Sequence, residues 1–170
     1  MKGIKRILVV SISTAHCQKA VQYGIALAKQ GGARLYVLHV FHDPFGLDAW
    51  SLPEASWKEV QEEYQNMQNK ARAELDQIIE EEQGKGVPIE VLLENGDPAD
   101  KILNFVKENK IDLLLMLAYE EDRLEHLLFG RSIDRIIRLE YLLFGRSIDR
   151  IIRKLPCSVL LVKQEPGRTK

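Results

Sequence analysis

Cysteine is scarce: Cys17 and Cys157 are the two in 170 residues. They form no CxxC pair, so neither a disulfide framework nor a thiol-based metal site is readable. No apolar run approaches the roughly 18 residues of a membrane helix. The opening MKGIKRILVVSIS lacks the apolar core and small-residue cleavage site of a signal peptide. These absences predict a cytoplasmic chain with free thiols and no membrane partner. Excess charge is missing too, because 24 basic and 25 acidic residues leave a formal charge of −1. No global field then draws the chain to nucleic acid, and no nucleic-acid partner is predicted. No Ser/His/Asp set, paired catalytic carboxylates or activated nucleophile can be read. His39 and His42 would point to opposite faces of a strand and lack a Cys or carboxylate framework, so no metal site is predicted.

What the chain does have is a hydrophobic content of 45% against 29% charged residues, the balance of one soluble globular domain over residues 1–170. Short apolar runs alternate with helical patterns. RILVVSI (6–12), LYVLHVF (35–41), IEVLLE (89–94), IDLLLML (111–117) and CSVLLVK (157–163) have strand length, and their near-continuous apolarity suits strands buried on both faces. Helical patterns lie between them, giving a β, α, β, α order that predicts an α/β, doubly wound parallel sheet of Rossmann-like form. Gly31-Gly32, then Gly84 and Gly86, mark helix ends, and Asp97 is placed to cap a helix with Pro98 at its first position. The helix from Glu59 to Glu82 is charged on most faces and reads as a solvated surface helix. The irregular stretch 42–56 leaves the carboxyl end of a strand, where ligands of open α/β sheets bind. Its Phe45 and Trp50, with Trp57 nearby, read first as a packed lid or partner surface.

Residues 123–137, RLEHLLFGRSIDRII, are followed at once by 138–152, RLEYLLFGRSIDRII, a tandem copy that differs only at His126 and Tyr141. A parallel α/β fold has room for one crossover helix there, so one copy is surplus. A lone near-identical pair also argues against a solenoid, which needs at least three units. The second copy is expected to seat on the sheet through Ile148, Ile151, Ile152 and Leu155, because only Pro156 separates that stripe from the last strand. Ile133, Ile136 and Ile137 of the first copy have no such anchor.

With KRILVVSIS, KAVQYGIALAKQGGARLYVLHV, ENGDPADKIL, KIDLLLML and LLFGRSIDRIIRKLPCSVLLVK in view, the chain resembles the universal stress proteins over nearly its whole length. That resemblance implies a five-stranded parallel sheet of order 3-2-1-4-5, a homodimer formed through the last strand, Cys157 to Lys163, and in one branch ATP bound at the carboxyl edge. The nucleotide branch has an Asp at the end of the first strand, where this chain has Ser11. It also has a glycine-rich loop after the fourth strand. Here Leu117 and Glu120 fall at its two leading glycines, and Gly130 or its duplicate Gly145 keeps the last. Arg131 or Arg146 takes the following hydroxyl position, with Ser132 or Ser147 one step later. Leu117 adds bulk where backbone should approach an anion. Glu120 adds a like charge worth about 4 kcal/mol of repulsion at ~4 Å and an effective dielectric near 20.

The sequence therefore predicts a non-catalytic stress-response or regulatory module, homodimeric, with an unidentified protein partner, no expected cofactor and nucleotide binding weak or lost. The alternative is an ATP or AMP sensor, with magnesium, holding the nucleotide through Ser11, the backbone of Val40, and one Gly-Arg-Ser copy drawn from Gly130, Ser132, Gly145, Arg146 and Ser147. A slow ATPase ranks third. For Ser132 and Ser147, with Asp134 and Asp149 in the first turn, helix capping needs no ligand and is the simpler role. Capping likewise explains Ser13 and Thr14, and Cys17 reads as a small buried hydrophobe.

Overall fold

Alternate residues of a strand face opposite ways, and in the centre of this protein both sides are covered. The computed structural model describes residues 3–11, 14–41, 54–82, 86–118 and 148–163. Its elements are β1 (Arg6–Ser11), α1 (Thr14–Gly31), β2 (Arg34–Phe41), α2 (Glu54–Glu82), β3 (Ile89–Asn95), α3 (Pro98–Glu108), β4 (Leu113–Ala118) and β5 (Ser158–Lys163). A helical stretch at 148–154 precedes β5. The strands form one sheet of order β3-β2-β1-β4-β5, parallel at every pairing. This is the doubly wound, Rossmann-like sheet that the alternation and the resemblance predict.

Ile7, Val9, Leu35, Val37, Leu113, Leu115 and Leu117 face one side, where α1 and α2 cover them with Val21, Ile25 and Leu75. Leu8, Val10, Leu38, Leu114 and Met116 face the other, beneath Ala99, Ile102 and Val106 of α3 and Ile151 of the 148–154 helix. Helix α1 lies so close to the sheet that a Cβ on Gly24 would come within 2.4 Å of Val9 Cγ2. Gly32, at φ +57°, takes the left-handed turn that ends this helix.

Three expectations are corrected. Strands β3 and β5 are not buried on both faces: β3 is half-buried along most of its length, and β5 exposes Leu160 (37%) and Leu161 (46%). They are the edges of the sheet, and apolarity alone does not distinguish an edge from a centre. Helix α2 is not wholly solvated, since Ala71 and Leu75 are buried and Ile78 is half-buried. That i, i+4, i+7 stripe is narrow enough to hide among the charges. Ile152 does not join the stripe of the second copy, being 45% exposed while Ile151 is fully buried. At 100° per residue, Ile148, Ile151 and Leu155 fall within about 60° of arc, and Ile152 lies about 40° beyond it. The second copy does pack on the sheet, as expected. The first copy, with Ile133, Ile136 and Ile137, lies outside the described residues.

Local bonds fix the joins. Asp97 caps α3, its Oδ1 accepting from the Asp100 N–H at 2.9 Å, with Pro98 at the first position. Asp112 Oδ2 accepts from the backbone N–H groups of Lys5 and Arg6, both at 2.9 Å, and its own N–H donates to the Arg6 carbonyl. That clasp aligns the start of β4 with the start of β1. No helix among the described residues is long and apolar enough to cross a membrane.

Candidate functional site

The chain winds from β1 outward to β3, then returns to place β4 on the other side of β1. The switch point therefore lies between β1 and β4, and a crevice at their carboxyl ends is the site such sheets offer a ligand. Ser11 ends β1 there and pairs with His39 of β2. Val40 follows His39, pairs with Glu94 and buries its side chain on the α3 side. The fold thus brings the backbones of Ser11 and Val40 to neighbouring strand ends. Gly130, Ser132, Gly145, Arg146 and Ser147 lie outside the described residues, as do Glu120, Arg131, Ser13, His42, Phe45 and Trp50. Of Trp57 and Cys17 the helical backbone alone is described.

Leu117 is a strand residue. It pairs with Val162 of β5 and is buried among the side chains under α1. The ladder continues one step further, to Ala118 opposite Lys163. Where the resembling loop would begin with glycine, this chain therefore keeps an extended, paired backbone.

Beside the crevice, the α2 side of the carboxyl edge holds a cluster that the sequence reading missed. The His39 ring lies 4.2 Å from Phe41 between centroids, and Phe41 meets the edge of Tyr64 at 6.2 Å. Tyr64 OH and Gln68 Nε2 donate to Asn95 Oδ1 at 3.3 and 3.0 Å. Tyr64 and Gln68 are one helical turn apart, which was visible in the sequence; that Asn95 would receive them both was not. His39 is buried, and desolvation lowers its pKa from 6.5 to about 4, so the imidazole is neutral at pH 7. On the other face, Lys101 Nζ donates to Glu94 Oε2 at 2.8 Å. Arg150 of the second copy donates to Asp97 Oδ1 at 3.3 Å and also bonds Asp100. At the far, amino end of the sheet, burial pushes the Cys157 thiol up, and the Asp112 carboxylate adds to the shift. That thiol is held protonated and is a poor nucleophile. Among the described residues no three His, Cys, Asp or Glu side chains gather as metal ligands.

An open, all-parallel sheet with its switch point between β1 and β4 defines a Rossmann-like α/β protein. Within that class the chain belongs to the universal stress protein family, whose pattern it matches over residues 3–139. A universal stress protein of Methanocaldococcus jannaschii is 29% identical over 136 residues, covering 79% of this chain and 76% of that one. Among solved structures, a universal stress protein from Lactobacillus plantarum superposes with a TM-score of 0.66 at 19% identity, covering 95% of this chain and 99% of that one. A family member from Arabidopsis thaliana, solved with AMP bound, gives 0.55 at 16% identity, covering 98% and 95% of the two chains. A universal stress protein in complex with cAMP gives 0.51 at 16% identity, covering 96% and 100%.

Proposed function

We propose that this universal stress protein is a non-catalytic stress-response or regulatory module. It is a single domain over residues 1–170, cytoplasmic and homodimeric through Cys157 to Lys163, and its binding of nucleotide is weak or lost. The observation that carries the reading is Leu117, buried in the β4 ladder opposite Val162. A phosphate loop works by presenting free backbone N–H groups to an anion, usually with glycine to allow the close approach. A strand residue that buries a leucine side chain withdraws the close approach, and Glu120 adds a negative charge three residues on. No cofactor is then required, and the output passes through contact with an unidentified protein.

The alternative is a sensor holding ATP or AMP, with magnesium, and the AMP and cAMP bound to its structural relatives favour it. In that case Ser11 and the backbone of Val40 would line the adenosine end, and one of the Gly-Arg-Ser copies (Gly130 and Ser132, or Gly145, Arg146 and Ser147) the phosphates. A slow ATPase has least support. His39 is enclosed and, with a pKa of about 4, too weak a base to activate water near neutral pH. Calorimetric titration with ATP, with and without magnesium, and with AMP tests the choice. No sub-micromolar dissociation constant is expected, whereas one would establish the sensor. Replacing Leu117 and Glu120 together by glycine is expected to raise the affinity for ATP.

A further inference from the structure

We propose that the seat of the last crossover helix accepts either copy of the duplicated segment, giving the protein two registers separated by fifteen residues. In the register seen, the seat grips its helix at two kinds of point. Arg150 reaches Asp97 and Asp100 at the start of α3, and Ile151, supported by Ile148, is buried in the core on the α3 side. Fifteen residues upstream, Ile133, Arg135 and Ile136 repeat Ile148, Arg150 and Ile151 in type and spacing, within a stretch identical in both copies. Every contact that the seat makes between residues 148 and 152 can thus be made by residues 133 to 137.

The copies diverge just past this stretch. Leu155 is half-buried against the core, whereas its counterpart in the first copy is Glu140, so the register seen is the favoured one. Chain connectivity favours the same register modestly. Slipping by fifteen residues lengthens the short connection into β5 and shortens the long connection out of β4 by the same number. Loop-closure cost rises as the logarithm of length, so lengthening the short connection costs more than shortening the long one returns, though the difference stays small.

The slip has a spatial consequence. Chain leaves β4 at the carboxyl edge, beside the β1/β4 crevice, and enters β5 at the amino edge. A change of register therefore moves fifteen residues from the connection at the crevice side to the opposite edge, and the register sets how much chain stands by the site.

Hydrogen exchange read by mass spectrometry on the full chain tests this, with Ile151→Asp, Ile136→Asp, the double variant and Leu155→Glu. In Ile151→Asp, slow exchange is expected to leave 148–154 and to appear at 133–139, with protection of about 100-fold or more. Ile136→Asp should keep the protection at 148–154, and the double variant should lose both and unfold at a lower urea concentration than either single. Leu155→Glu gives the second copy the residue type that Glu140 supplies in the first, leaving Lys154 against Leu139 as the remaining difference before Pro156. It removes only a half-buried contact, and it should show protection divided between the two segments. An Ile151→Asp variant that unfolds where the double does, or a folded Leu155→Glu variant with no protection at 133–139, would overturn the proposal.

Discussion

A single histidine links the polar edge of the site to the pH dependence of the whole protein. His39 is buried against Phe41 with its pKa lowered to about 4 by desolvation. Above pH 6.5 both the folded and the unfolded chain hold it neutral. As pH falls from 6.5 towards 4, the unfolded chain takes up the proton while the folded one resists. Stability is therefore lost with falling pH across that window, by about 3 kcal/mol at its acid end. His39→Leu is expected to flatten this part of the profile, read from urea midpoints at pH 7, 6, 5 and 4.5. A variant whose acid slope matches that of the unmodified protein would show that the histidine does not titrate as its burial requires. The sequence placed His39 in a strand and weighed it against a metal site. Its contact with Phe41 was implicit in the i, i+2 spacing, but the enclosure that lowers its pKa comes from burial on the side of the sheet that α1 and α2 cover, which no local pattern reveals.

Among the elements, α3 shows most plainly what a short motif states and what it leaves out. Asn95-Gly96-Asp97-Pro98 announces a turn and a capped helix, and the structure supplies both: Gly96 at φ +131° and Asp97 accepting from the Asp100 N–H. The same Asp97 also holds Arg150, 53 residues away. Nothing in the sequence marks that pair, because each charge reads locally as part of a solvated face. The two roles separate by substitution. Asp97→Ala removes the cap, worth about 1 kcal/mol, and a half-exposed ion pair worth less than about 1 kcal/mol. A total loss of about 1–2 kcal/mol is expected, as a lower urea midpoint with unchanged slope. Asp97→Asn keeps a capping oxygen and should lose only the ion-pair share. Equal losses from the two variants would mean that the charge, not the cap, holds this helix. For the same reason the strands were legible and their rank in the sheet was not: LLLML and SVLLV are alike in composition, yet β4 is enclosed and β5 is an edge.

At the scale of the whole molecule the question is what covers the open edge of the sheet. Among the described residues two strands have one neighbour each, β3 and β5. Strand β3 carries Glu90 and Glu94, the latter paired with Lys101, and such charges blunt an edge against further pairing. Strand β5 is uncharged from Ser158 to Val162 and exposes Leu160 and Leu161. Being adjacent, these two leucines point to opposite faces, so an apolar rim lies on both sides of a ladder that no described residue pairs. In isolation that combination invites aggregation, and a second copy of β5 is the partner of matching chemistry. The protein is expected to sediment as a dimer. Leu160→Lys with Leu161→Lys leaves every backbone pairing group in place but sets four like charges across the two-fold, so the double variant should sediment as a monomer with its fold retained by circular dichroism. Proline scanning adds direction. Successive N–H groups of a strand point to opposite edges, so of Leu160→Pro and Leu161→Pro one breaks the bond to β4 and the other only the outward ladder. The first should destabilise the subunit itself, and the second should release monomers of near-normal stability. A stable monomer in the unmodified protein would remove β5 as the interface and leave its two leucines for a different partner.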